Sequence, residues 1–365
     1  MNNIMPAKGG SASGRKKVCI IIVNYNGQKY LPDLLGSIFS NQPNSVLQEV
    51  VLVDNASVDN SLNWLKQNYP QVTVLAQTEN YGFAKGNNIG INWAMANGCD
   101  YVFLLNSDTL MEAGCLDKLV SAIEQDDKIA VIQPKILLWP LTDLINSLGN
   151  VIHYLGFGYT YGHKTPTMNH QLGRSIYQVN YCSGAACLIK LEALARTGLF
   201  NEEFFMYHED LDLGWRFSLM GYKNMIEPRA VVYHKYEFSR SIQKYYYMER
   251  NRWLVMLQNY KLLTLLLILP ALLMMEAGLV LLSILGGWHQ EKFRVYLYFL
   301  RVSSWKKLWL TRRQIQKQRV VSDRAAVKKF SGVIEHQDSP ARGVDKIANI
   351  FFNAYWQIIR LLIIW

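Results

Sequence analysis

Cysteine is scarce in this sequence and follows no pattern. The five residues are Cys19, Cys99, Cys115, Cys182 and Cys187, an odd number with no Cys-x-x-Cys pair. That argues against a disulfide framework or a structural zinc site and fits a reducing compartment. Long apolar runs are also missing ahead of residue 262. Basic residues Lys8, Arg15, Lys16 and Lys17 precede the apolar stretch 18–23. That stretch is too short for a signal-peptide core, and Asn24 ends it, so it reads as a buried strand. A single long apolar run rules out a polytopic transporter. Charged residues make up only 18% of the chain against 50% hydrophobic, which excludes disorder. No Gly-x-x-x-x-Gly-Lys-[Ser/Thr] loop, long internal repeat or low-complexity tract occurs.

What is present is unevenly spread. The net charge is +10, yet residues 251–365 hold 17 Lys/Arg against 6 Asp/Glu. The first 250 residues are therefore nearly neutral, and the last third carries both the basic excess and the long apolar run. The length of 365 residues allows a globular domain of about 250 residues with an appendage.

Through residue 135 the chain alternates strand and helix signals. β-branched runs at 18–23, 50–53, 72–75, 101–105 and 129–132 predict strands. Stretches at 30–40, 60–68, 84–97 and 113–125 predict helices between them. This is the rhythm of an α/β, mostly parallel, Rossmann-like sheet with flanking helices. Such sheets bind ligands beyond the carboxyl ends of their strands. The polar residues there are Asn24-Tyr-Asn26-Gly27, Asp54-Asn55-Ala-Ser57-Val-Asp59, Asn80-Tyr-Gly82-Phe83-Ala-Lys85-Gly86-Asn87-Asn88 and Asn106-Ser107-Asp108. Residues 134–180 are irregular and predict loops and edge strands over the sheet face. A helix is predicted near 191–196 and another through Leu211, Trp215 and Leu219.

Each cluster suits a chemistry and has a plainer reading. Asp108, after an apolar strand, suits a hard divalent cation bound through carboxylate oxygen; such a cation neutralises a diphosphate. The plainer role is a turn cap. Asp54 can accept from a base N–H or close an Asx turn. The Gly82–Asn88 stretch permits close backbone approach at a helix start, where phosphate is favoured. Glu209 and Asp210 lie between Phe204-Phe-Met-Tyr207 and a helix bearing Trp215 and Arg216. An apolar rim raises a carboxylate pKa and makes it a usable general base; a helix cap is the rival role. His234 ends another strand and can complete a metal site or serve a structural role.

Taken in order, Ile22-Val-Asn24-Tyr-Asn26, Val53-Asp-Asn-Ala-Ser-Val-Asp59, Asn80-Tyr-Gly-Phe-Ala-Lys-Gly-Asn87, Asn106-Ser-Asp108, Ser183-Gly-Ala-Ala186, Phe205-Met-Tyr-His-Glu-Asp-Leu-Asp212 and Tyr233-His234 form a series. The series resembles inverting family 2 glycosyltransferases of the GT-A fold, in their bacterial rhamnosyltransferase-like branch. The resemblance spans about residues 18–260. It implies that Asp54 reads the nucleotide base, with Asn24, Asn26, Asn55, Gly82, Lys85, Asn87 and Asn106 also on the donor. It implies Asp108 and His234 on Mg²⁺ or Mn²⁺, Asn106 standing where the family has an acid. Asp210 matches the catalytic base beside Glu209, and Gly184, Arg216 and Arg250 fall on the acceptor side. The implied reaction is direct displacement of a nucleoside diphosphate, with dTDP-rhamnose the suggested donor and a lipid-linked or cell-surface glycan the acceptor. Processive synthases carry Gln-x-x-Arg-Trp; here the segment reads Glu249-Arg-Asn-Arg252-Trp253. Arg250-Asn251 after Tyr245-Tyr-Tyr247 looks instead like the non-processive branch.

The stretch 262–285 is a long apolar run with one acid, Glu276, and holds Pro270. At about 1.5 Å per residue it is long enough for a ~30 Å hydrocarbon layer. It reads as a transmembrane helix kinked at Pro270, or as two short helices bent there within one leaflet. Arg252 and Lys261 flank one end, and Lys292, Arg294, Arg301, Lys306 and Lys307 the other. Positive charge on both sides favours a re-entrant or in-plane element with both flanks cytoplasmic. Trp305-Lys-Lys-Leu-Trp309 with Arg312-Arg313 suits an anionic membrane surface rather than nucleic acid. The final residues, 350–365, suit docking on a membrane or on a second copy of the chain.

The expected organisation is a flexible segment over 1–17, a GT-A domain over 18–260, a membrane element over 261–290 and a basic, aromatic surface tail over 291–365. The expected location is the cell membrane, with the catalytic domain cytoplasmic. Two other functions fit less well. A sugar nucleotidyltransferase would need a Gly-rich basic loop where Asn24-Tyr-Asn-Gly27 stands. A degenerate membrane scaffold would have no use for Asp54, Asp108, Asp210 and His234.

Overall fold

The computed structural model describes residues 15–170, 173–236, 241–335 and 342–365. The flexible segment expected over 1–17 lies outside the described residues up to residue 14.

The first half builds the predicted layers. In chain order these are β1 (Lys16–Asn24), α1 (Leu31–Phe39), β2 (Val46–Asp54), α2 (Ser61–Asn68), β3 (Thr73–Ala76), α3 (Gly82–Ala96), β4 (Tyr101–Leu105), β5 (Thr109–Met111), α4 (Cys115–Ile123) and β6 (Ile129–Leu138). Short strands follow: β7 (Ile145–Ser147), β8 (Asn150–Ile152), β9 (Gly158–Thr160) and β10 (Tyr177–Val179), of which β8 and β9 pair with each other apart from the main sheet. Then come β11 (Ala186–Lys190), α5 (Leu191–Thr197), α6 (Glu209–Leu219) and β12 (Lys223–His234).

The main sheet runs β10-β12-β6-β11-β4-β1-β2-β3, with β5 added to β12 and β7 to β6. Strands β3, β2, β1 and β4 are parallel, as are β6 and β12, while β11 is antiparallel to both its neighbours. Val18 to Ile22 are fully buried, the mark of a strand covered on both faces. Helix α3 covers β1 closely. A Cβ on Gly86 would come within 2.9 Å of Val23, and one on Gly90 within 2.6 Å of Ile21. This is a mixed α/β fold with a central, mostly parallel sheet.

The last third is helical: α7 (Lys244–Asn259), α8 (Leu262–Leu285), α9 (His289–Leu300), α10 (Val302–Gln318), α11 (Asp323–Ala326) and α12 (Arg342–Leu362). These helices share a core with α6 rather than hanging free. Trp356 stacks on Tyr154 at 4.6 Å, and Trp215 meets Tyr260 and Phe330 edge-on. Helix α8 runs unbroken through Pro270. The reading as two short helices bent at that proline is therefore corrected. Ile268, Ala271 and Leu272 are buried on either side of it, so packing holds the axis despite the missing N–H.

Candidate active site

The carboxyl ends of β1, β2 and β4 carry a set of loops tied to one another. Parallel register sets Asn24 beside Asp54. Asn24 Nδ2 donates to Asp54 Oδ1 at 2.9 Å, and Ser57 donates to both Asp54 oxygens, through Oγ at 2.6 Å and N at 2.9 Å. Asp54 is 1% exposed. The expectation that it meets the base directly is corrected: its carboxylate closes the Asx turn and joins two loops. Asn26, at φ 52, accepts from the Val58 and Asp59 amides and extends the same knot. The loops leave Tyr25 54% and Val58 90% exposed at the rim, two apolar surfaces the motif reading passed over.

The start of α3 is not open to phosphate. Phe83 N and Ala84 N both donate to Phe205 O, at 2.7 and 3.2 Å. Gly82, at φ +75, would place a Cβ 2.6 Å from Phe205. Its role is close approach of a second loop, and the phosphate expectation there is corrected. Asn55 Nδ2 donates to Gly82 O, and Asn87 Nδ2 donates to Phe83 O within the helix. Lys85 keeps its ammonium 3.3 Å over the Tyr81 ring, half-exposed at the rim.

The loop after β4 meets the end of β12. Strand β5 pairs antiparallel with β12, opposing Thr109 to His234. His234 Nε2 thereby stands 3.2 Å from Asp108 Oδ1. The other ring nitrogen, Nδ1, lies 3.0 Å from Asn146 Oδ1. With the hydrogen on Nδ1, the Nε2 lone pair and the Asp108 carboxylate oxygen face one space that a cation can fill. Carboxylate plus imidazole is a donor set that Mg²⁺ or Mn²⁺ accepts, and the residues fit one. Among the described residues no group of three metal-ligating His, Cys, Asp or Glu side chains occurs, so a cation here takes further oxygens from elsewhere. Asn146 lies in the irregular 134–180 region, where no sequence signal marked it.

Residues 183–185 connect this loop to the predicted base. Asn106 N donates to Ala185 O at 2.9 Å, and Gly184 N donates to Asp210 Oδ2 at 3.1 Å. Gln133 Oε1 in turn accepts from Ser183 N. Asp210 Oδ1 accepts from Leu211 N at 2.8 Å. Burial pushes the Asp210 pKa up to about 6, against the pull of these two amides. Burial, and then the Asp210 charge, drives the Glu209 pKa well above its ordinary value. Glu209 Oε2 is buried without a partner. Both shifts favour the protonated forms, that of Glu209 the more strongly because the Asp210 charge adds to its burial. Behind them His208 is held neutral, its pKa pushed down to about 4 by burial.

The segment ahead of the acids is conformationally costly. Phe205, Tyr207 and His208 all have positive φ, at 62, 66 and 67. Non-glycine residues there cost of order 1–3 kcal/mol each, so the surroundings must impose the shape. Asn251 does so, donating to the carbonyls of Phe204, Met206 and Tyr207 at 3.0, 2.9 and 2.7 Å. Arg250 donates to the Glu203 and Phe204 carbonyls and to Asn251 Oδ1, flanked by Tyr246, Tyr247 and Tyr298. Arg250 is buried and clamps this loop through Nε and Nη2. Arg216 is buried too, pairing with Asp212 at 2.7 Å and donating to the carbonyls of Thr197, Gly198 and Leu199, so that four of its five N–H groups hold the protein itself.

Residues 19–140 match the model of glycosyl transferase family 2, and residues 101–311, more than half the chain, match that of glycosyl transferase family group 2. The N-acetylglucosaminyl-diphospho-decaprenol L-rhamnosyltransferase of Mycobacterium tuberculosis (strain H37Rv) is 29% identical over 233 residues, which is 59% of this chain and 75% of that protein. Rhamnosyltransferase WbbL of Escherichia coli (strain K12) is 24% identical over 256 residues, 65% of this chain and 89% of that protein. The crystal structure of GalNAc-T7 with UDP, GalNAc and Mn²⁺ superposes with a TM-score of 0.53 at 18% identity, a likeness of fold. It covers 65% of this chain, which spans about half (47%) of that one. A GT-A sheet carrying the matched motifs at its carboxyl edge makes this chain a glycosyltransferase of family 2, similar to the family's rhamnosyltransferases.

Proposed function

We propose that the enzyme transfers a sugar from a nucleoside diphosphate to an acceptor hydroxyl with inversion, Asp210 acting as general base. The observation that carries this is the Asp210 carboxylate, oriented by the Gly184 and Leu211 amides and poised near pH 6. Asp210 takes the acceptor proton as the acceptor oxygen attacks the anomeric carbon. The bond from that carbon to the diphosphate oxygen breaks on the opposite face, so the configuration inverts. Glu209, holding its proton, adds no second negative charge beside the base. Asp108 and His234 would hold a divalent cation, which supplies charge neutralisation for the departing diphosphate.

The donor would lie over the carboxyl ends of β1, β2 and β4. Lys85 and Asn106 are the polar groups left for its phosphates. Tyr25 and Val58 offer apolar faces to the base. Asn24, Asn26, Asp54 and Asn55 act by holding those loops, with Gly82 and Asn87 fixing α3. Gly184 stands next to the base, where an acceptor hydroxyl must come.

Support for the substrates comes from the relatives. Both are rhamnosyltransferases, and the mycobacterial one is named for a decaprenyl diphosphate-linked acceptor. dTDP-rhamnose and a lipid-linked glycan acceptor are the corresponding reading here. Helix α8 is long and apolar enough to cross a membrane by length and composition. With the basic tail it supports attachment at the cytoplasmic face of the cell membrane, in contact with lipid rather than nucleic acid.

The test is a screen of nucleotide sugars with purified enzyme, Mn²⁺ and membrane lipid extract. Release of dTDP and an inverted anomeric centre in the product is the expected result. A retained configuration would remove Asp210 from the role of base.

A further inference from the structure

We infer that α8 does not cross the bilayer: it is strapped along its length to the catalytic domain and lies in one leaflet, so that α8 to α10 and α12 form a monotopic platform for an anionic lipid surface. This rests on the membrane reading above and specifies its topology.

The buried positions of α8 are Thr264, Ile268, Ala271, Leu272 and Ser283. With the half-buried Met275, Glu276, Leu279 and Val280 between Leu272 and Ser283, they recur every three or four residues along one side of the helix. Its first turns are clasped by other helices. Lys261 N and Thr264 Oγ1 donate to Asp323 on α11, and Tyr355 on α12 donates to Leu267 O. Midway, Glu276 pairs with Arg252 of α7 at 2.9 Å and with Lys292 of α9 at 2.7 Å, and it accepts from Tyr296. Both cations also pair with Glu249, at 3.1 and 2.6 Å.

Arg252 is the reason that a crossing is excluded. It is fully buried and donates to Leu155 O, and its chain neighbour Asn251 holds the carbonyls ahead of the catalytic acids. Glu276 lies about 21 Å along α8, at about 1.5 Å per residue. If α8 entered a ~30 Å hydrocarbon layer end-on, Glu276 would sit deep within it. The ion network would then draw Arg252, Lys292 and the catalytic loops in after it. Unpairing these buried charges is the alternative, and that is strongly destabilising. Lying in-plane asks for neither.

The outer surface fits that placement. Leu266 and Leu273 on α8 are 64% and 59% exposed, and Trp309 on α10 is 58% exposed. Large apolar side chains left open on neighbouring helices mark an interaction site. The occupant is set by charge. Arg294, Arg301, Lys306 and Arg313 are exposed on α9 and α10 or between them, in a segment carrying the whole basic excess of the chain. Cations beside an apolar, tryptophan-bearing surface suit anionic headgroups over acyl chains.

The full chain is bound to preformed vesicles of phosphatidylcholine with phosphatidylglycerol and recovered by flotation. Single cysteines replace Gln290 and His289, just beyond the far end of α8, and Ser121 on α4 as a reference. All three positions are exposed, and the wild-type chain gives the background from Cys99. A membrane-impermeant thiol reagent added outside should label Gln290→Cys and His289→Cys as fully as Ser121→Cys, with no gain on adding detergent. Flotation should fall when phosphatidylglycerol is omitted or salt is raised. Protection of positions 289 and 290 with Ser121→Cys labelled means that α8 crosses; this overturns the inference and leaves the membrane reading standing. Absence of flotation, with a stable dimer by sedimentation, overturns both and assigns the apolar faces to a second copy.

Discussion

His234 Nε2 and Asp108 Oδ1 face each other across 3.2 Å, brought together by the antiparallel pairing of β5 with β12. Asn146 Oδ1 lies 3.0 Å from Nδ1, on the other side of the ring. In the tautomer with its hydrogen on Nδ1, the imidazole and the carboxylate would together hold a cation. Activity should be lost on chelation with EDTA and restored by Mn²⁺ or Mg²⁺. Asp108→Asn should abolish the rise in Tm that Mn²⁺ gives the wild type. Asn146→Ala, which frees the imidazole to turn, should weaken Mn²⁺ binding by about 10–100-fold. An unchanged Mn²⁺ titration in Asp108→Asn would refute the site.

Asp210 must be ionised to take a proton, and its pKa is raised to about 6. The rate should therefore fall on the acid side with a midpoint near pH 6 in kcat/KM. The same shift acts on stability with the opposite preference. The folded state binds this proton more tightly, so its contribution is complete below about pH 4 and is lost as pH rises through about 6. Asp210→Asn should lower kcat by roughly 10²–10⁴-fold and remove that acid limb, with donor binding little changed. Near-wild-type turnover would sink the assignment.

Asn251 satisfies three carbonyls of a segment whose backbone is otherwise unfavourable. Asn251→Ala should cost about 3 kcal/mol, since several buried carbonyls lose their donor. Because the segment leads directly into Glu209 and Asp210, kcat should drop more than the donor KM rises. Urea denaturation and steady-state kinetics on the same preparation separate the two effects. A stability loss with unchanged kcat would make Asn251 purely structural.

Glu276 balances one of two cations in a four-charge cluster with Glu249, Arg252 and Lys292. Glu276→Leu leaves two cations on one anion and should destabilise by about 3–5 kcal/mol. Adding Lys292→Leu restores the charge balance and should recover most of that loss. A double variant no more stable than the single one would show that the cluster does not behave as a balanced unit.

Much of the fold was legible because parallel strands buried on both faces must be continuous apolar runs. Residues 18–23 and 101–105 could be little else, and the helices between them follow from the same rhythm. Asp108 and Asp210 stand out in the sequence as candidates, since a carboxylate at a strand or helix end beside apolar residues is chemically conspicuous. Roles that depend on what sits opposite do not. Arg216 and Arg250 look like substrate contacts in sequence, yet both are buried and donate to backbone carbonyls from distant loops. Gly82 looks like a phosphate cradle, yet the amides after it are taken by Phe205.

By itself, then, the sequence determined the layers and the family and marked two candidate acids, because each is written in local pattern: burial period, motif order, and charge at an element end. Only the tertiary structure decided which groups are free. It buried Asp54 in a turn, set Asn146 behind His234, and tied Asn251 to the carbonyls that lead into Glu209 and Asp210. It also decided what the 24-residue apolar helix can do. Hydropathy alone permits a crossing, but Glu276 joined to Arg252 holds that helix to the enzyme. Pairing of this kind depends on distances between segments far apart in the chain, which composition and periodicity do not contain.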